Sequence, residues 1–72
     1  MDHILLSDIV IGWAKSKNFF VPENIVKAAI DEGVKARQKG KSAQFETLYT
    51  LYSYTGIKPD VELVNILKEL DE

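Results

Sequence analysis

The chain has 72 residues, 46% of them apolar and 28% charged, a formal net charge of −2, and no cysteine. That is the composition of one small globular domain, 1–72, able to fold alone although it buries only about 60% of its unfolded surface. It excludes disulfides and thiolate metal sites, and no apolar run reaches the roughly 18–20 residues that span a bilayer.

Met1-Asp2-His3 supplies no basic segment ahead of the first apolar run, so a signal peptide is not expected and a cytoplasmic location is. Charge is segregated along the chain. Residues 15–41 carry seven basic and three acidic groups, and residues 42–72 carry two basic and six acidic groups. Either the two segments attract each other in the fold, or the dipole steers a partner.

The first helix is predicted over about residues 3–17. Leu6, Ile9, Val10, Trp13 and Ala14 form its stripe, widened by Ile4, Leu5 and Ile11. Asp2 is the expected cap, with Ser7 as the other start, and Asn18 the expected stop. Trp13, the one tryptophan, reads as core. Phe19-Phe20-Val21 before Pro22 reads as an extended connector, with at least one phenylalanine filling the gap between helices.

A second helix is predicted from Pro22 or Glu23 to about Lys39, closed by Gly40. Its alanines and Gly33 would let another helix approach closely. Ser42 is placed to cap a third helix running to about Thr55. Phe45, Leu48, Tyr49 and Tyr52 recur there at i, i+3, i+4, i+7, and the reading makes them a buried stripe with Tyr54 outside it. Three threonines and three tyrosines make a strand the competing reading, but the 3.6-residue period favours the helix. Gly56 stops it, and Pro59-Asp60 opens a fourth helix with the stripe Leu63, Ile66, Leu67 and Leu70. Glu62, Lys68, Glu69, Asp71 and Glu72 read as solvated, and the last turn as frayed because acids there oppose the helix dipole. Short links favour antiparallel neighbours, which gives an all-α bundle of four short helices with the third central.

The block Gly56-Ile57-Lys58-Pro59-Asp60-Val61-Glu62-Leu63-Val64-Asn65 resembles the junction between two pentatricopeptide repeats. Arg37-Gln38-Lys39-Gly40 resembles that family's hairpin turn, and Val21-Pro22-Glu23 echoes Lys58-Pro59-Asp60 at a spacing close to its period of about 35 residues. The resemblance implies a helical-hairpin solenoid, with Asp60 and Asn65 on the positions that read an RNA base.

No enzymatic constellation emerges. The one histidine, His3, stands near the start of the chain, a poor place for a triad. Gly40-Lys41-Ser42 lacks the upstream glycine and strand of a phosphate-binding loop. The adjacent acids Asp31-Glu32 and Asp71-Glu72 point in different directions on a helix. No catalytic residue, cofactor, metal or small-molecule substrate is assigned, and no membrane contact is expected.

Two surfaces remain. Tyr49, Tyr52 and Tyr54 would form an aromatic, hydroxyl-bearing contact surface for a protein partner, against a competing account in which Tyr49 and Tyr52 are core. Lys35, Arg37, Lys39 and Lys41 would form a basic knob for nucleic acid, against an account as dipole complement and solubility. The favoured expectation is a non-catalytic interaction or adaptor module that self-associates. Nucleic-acid binding through 35–41 is the alternative, and an acidic inhibitor docking through residues 60–72 is a third.

Overall fold

The computed structural model describes residues 3–72, so the expected cap Asp2 lies outside the described residues. They form four α-helices and no strand: α1 (His3–Ser16), α2 (Glu23–Gln38), α3 (Ala43–Thr55) and α4 (Val61–Leu67), which tightens into a terminal 3-10 turn (Lys68–Asp71). The boundaries follow from local chemistry. Asn18 takes a left-handed backbone at φ 63° after α1, where the Phe19 N–H donates back to the Ala14 carbonyl. Gly40 at φ 80° ends α2 the same way, with the Lys41 N–H on the Ala36 carbonyl. Ser42 caps α3 by accepting from the Phe45 N–H at 3.1 Å.

Sequential helices run antiparallel. The start of α1 lies beside Lys27, Ile30 and Asp31 of α2, and the Gln44 side chain at the start of α3 donates to the Val64 carbonyl of α4. α2 packs against α1, α3 and the terminal turn, and α3 packs against α2, α4 and the same turn. These two helices form the centre. The core is Leu6, Val10, Trp13 and Ala14 from α1, Val26, Ala29 and Ile30 from α2, Ala43 and Leu51 from α3, and Leu63, Leu67 and Leu70 from the end of the chain, with Val21 from the connector. Trp13 is core, as its stripe predicts. Val21 is buried from the connector, whereas Phe20 stands in solvent and Phe19, half exposed, keeps a tilted contact with Trp13 at 6.2 Å between centroids.

Three expectations are corrected. Ile9 is exposed, and the buried Ser7 takes a place on the inner side of α1. The chain end is pinned, not frayed. Asp71 reaches across to the first turn of α3, where its carboxylate accepts from the Ser42 hydroxyl at 2.7 Å, the Ala43 N–H at 2.7 Å and the Gln44 N–H at 3.2 Å. An acid that opposes its own helix dipole is repaid by the positive end of another helix. The third correction is the largest. Phe45, Tyr49 and Tyr52 do not face the core; α3 buries Ala43, Thr47 and Leu51 on the opposite side.

Candidate functional site

The inversion of α3 has a local cause. At Gly33 the two central helices meet so closely that an added Cβ would overlap the Thr47 hydroxyl and lie 2.7 Å from the Ala43 carbonyl oxygen. Ala29, Gly33 and Ala36 are the buried small residues of α2. Helix separation is set by the side chains at the contact, and a seam this narrow has no room for a ring. Ala43, Thr47 and Leu51, at i, i+4, i+8, fill it. The rings therefore point outward: Phe45 is 68% exposed, Tyr49 54%, Tyr52 48% and Tyr54 64%.

Phe45, Tyr49 and Tyr52 lie at i, i+4, i+7 and form a row on the outer side of α3, with Leu48 half-buried at its edge. On the side facing α2, Phe45, Tyr49, Thr50, Ser53 and Tyr54 line an open depression with Glu46 and Glu32. Glu46 is the only charged residue on α3. Exposed aromatic side chains with few charges are what distinguishes the centre of a protein interface from ordinary surface.

The four basic residues at the end of α2 are divided by the fold. Lys35, Lys39 and Lys41 surround one depression with Glu32, Ala36 and Glu46. Lys35 stands 3.5 Å from the Glu32 carboxylate, an exposed pair of little energetic weight. Arg37 is on another side of the helix. Its guanidinium donates to the Leu70 carbonyl, and to that of Glu72 at 3.3 Å. It tethers the chain end and does not join the lysines.

Asp60, at the start of α4, is a structural junction. Its carboxylate accepts from the Leu63 N–H at 2.9 Å and from the Trp13 indole N–H at 3.0 Å, and it pairs with Lys17 at 3.2 Å. The Leu63 hydrogen bond, joined by Lys17 and Trp13, holds this carboxyl below the ordinary range against partial desolvation. The Ser42 hydroxyl, followed by the Ala43 and Gln44 N–H groups, does the same for Asp71. Asn65 is exposed. Among the described residues no cluster of three or more His, Asp or Glu could hold a metal ion, and no helix is long and apolar enough to cross a membrane.

The sequence reading found the tyrosines but put Tyr49 and Tyr52 inside. The signal that would have reversed this lay in α2: a helix with alanines and glycine at its contact positions demands small residues opposite, and Ala43 and Thr47 supply them one turn apart on one side of α3. In comparisons with known proteins, no family model, curated protein or solved structure matches this chain.

Proposed function

We propose that the chain is a non-catalytic protein-interaction module whose contact surface is the outer side of α3. The observation that carries this reading is the exposure of Phe45, Tyr49 and Tyr52 in one row on the outer side of α3, a helix whose one charged residue is Glu46. Full burial of such a ring is worth on the order of 1.5–3 kcal/mol, and leaving Phe45, Tyr49 and Tyr52 about half exposed or more forgoes a large part of it at each. Tyrosine suits such a face because it offers area with few rotamers and a hydroxyl for the rim. The test is a photo-crosslinking residue placed singly at Tyr49, Tyr52 and Lys15 in cells of the source organism. Discrete adducts at the two tyrosine positions and none at Lys15, exposed on α1, are expected. No adduct at Tyr49, or the same adducts at all three, sinks the reading.

A second reading, single-stranded nucleic acid, is favoured by the three lysines beside the aromatic depression, since basic groups next to stacking rings suit an unpaired strand. Glu32 and Glu46 line both depressions and oppose phosphate. Fluorescence anisotropy with a short single-stranded RNA decides it. Binding that falls with salt and vanishes in the Lys35→Ala/Lys39→Ala/Lys41→Ala variant supports the strand; no binding at 50 mM salt removes it.

A further inference from the structure

We infer that the groove between α2 and α3 takes an arginine side chain presented by a partner protein, its guanidinium lying against the Tyr49 ring and pairing with the Glu46 carboxylate. This rests on the interaction reading above, since Phe45 and Tyr49 belong both to the outer row and to the groove, and it names the chemistry of the partner. Three observations carry it. The first is an unused charge. Glu46 is half-buried, and among the described residues its carboxylate has neither an ion-pair nor a hydrogen-bond partner. The neighbouring Thr50 hydroxyl donates to the Glu46 backbone carbonyl instead. A place in the first turn of α3 suits an acid, because the helix dipole favours it there, but does not account for the rings around it.

The second observation is those rings. Phe45, Tyr49 and Tyr54 line the depression with Glu46, and Glu32 closes it from α2. Tyr49 is three residues beyond Glu46 and so its neighbour on the helix surface. A cation held by the Glu46 carboxylate lies within reach of the Tyr49 ring, and the two attract it together. A guanidinium fits this pair. It is planar, so it stacks on a ring while its edge donates two parallel bonds to a carboxylate, which an ammonium cannot do. Two carboxylates are too few for a metal ion, and among the described residues no third acid or histidine joins them.

The third is the order of charge along the groove. Glu32 and Glu46 line both depressions, the rings only one, and Lys35, Lys39 and Lys41 only the other. The acids therefore stand between the rings and the chain's own lysines. The complementary partner is a protein segment that sets arginine on the ring side of the acids and an acidic residue over the lysines. A uniformly basic tail meets the lysines, and a nucleic-acid strand meets the carboxylates, so this order selects against both.

The experiment is an NMR titration of the whole ¹⁵N-labelled chain with two capped peptides, Arg-Gly-Glu-Glu and its reverse Glu-Glu-Gly-Arg, to about 10 mM at about 50 mM salt. One of them should shift the Tyr49 ring and the amides around residues 45–54 along a saturating curve. The same peptide with citrulline for arginine, which keeps the shape and loses the charge, should bind at least about tenfold more weakly, and Glu46→Gln should weaken the arginine peptide by as much. Tyr49→Leu, which keeps apolar area and loses the ring, should weaken it about threefold. Circular dichroism of both variants separates lost binding from lost fold, and the citrulline comparison needs no variant. Equal affinity for the arginine and citrulline peptides, no saturation with either peptide, or undiminished binding to Glu46→Gln overturns the arginine site. Shifts centred on Asp8 or Glu23, away from α3, do the same. A single-stranded RNA that shifts the Tyr49 ring when neither peptide does overturns it in favour of the strand. Crosslinks at Tyr49 and Tyr52 that persist while both peptides are silent retain the interaction reading and remove this one.

Discussion

Gly33 sits where α2 and α3 come closest, and it has no side chain because no space exists for one. In an exposed helix interior, Gly→Ala would gain about 1 kcal/mol of helix propensity. Here Gly33→Ala should cost a net 1–3 kcal/mol, roughly the penalty of overpacking, by urea denaturation. Thr47→Ala in the same chain should recover only part of the loss, because the Ala43 carbonyl still blocks the new methyl. A neutral or stabilising Gly33→Ala would mean that the seam is looser than described. Asp60 and Asp71 make a second residue-scale case. Both carboxyls titrate lower in the folded chain than in the unfolded one. Their stabilisation is therefore complete above the ordinary carboxylate range and is lost as pH falls through and below about 4. Melts from pH 7 to pH 2 should show this steep acid limb. Asp60→Asn/Asp71→Asn should lower Tm at pH 7 and flatten the limb; parallel curves for the two proteins would contradict the assignment.

At the scale of the element, α3 is a helix with its large side chains outside and its small ones inside. Its apolar period predicts a helix, which is what forms, but two arcs of that helix were available for burial. The aromatic arc has more area to hide. The small arc wins because α2 presents Ala29, Gly33 and Ala36, and close approach of the two backbones buries Leu51 and Thr47 with Ala43. Substitutions should separate the arcs. Phe45→Ser and Tyr49→Ser should change unfolding free energy by no more than about 0.5 kcal/mol, the ordinary range for surface sites. Leu51→Ala should cost about 2–5 kcal/mol as a core truncation. Equal losses on both arcs would return the rings to the interior.

Across the whole molecule, segregated charge is used to close the fold. Lys17 from the basic segment reaches Asp60 at 3.2 Å and Glu62 at 3.8 Å, and Arg37 holds the carbonyls at the chain end. The terminal turn is thus fixed from two sides, by Arg37 on α2 and by Asp71 on the first turn of α3. Arg37→Ala should release it: amide exchange over residues 68–72 should speed up, and Tm should fall by a few degrees, a loss near 1 kcal/mol in a domain this small. Unchanged protection over 68–72 would show that Asp71 and Leu70 suffice without the guanidinium. Lys35, Lys39 and Lys41 lie away from Arg37, around the depression they share with Glu32 and Glu46.

The sequence by itself determined the helices and their ends, because those depend on neighbours along the chain: period 3.6, Ser42 and Asp60 as caps, and Asn18, Gly40 and Gly56 at the left-handed stops. It also singled out the tyrosines of the third helix, but placed Tyr49 and Tyr52 on its buried stripe. Only the tertiary structure decided that Phe45, Tyr49 and Tyr52 face water, that Arg37 leaves the lysines, and that Asp71 caps a helix 28 residues earlier. Each of those depends on which surfaces meet at what distance. A one-dimensional period fixes how residues are spaced around a helix, whereas the clearance at Gly33 selects which side of that helix is buried.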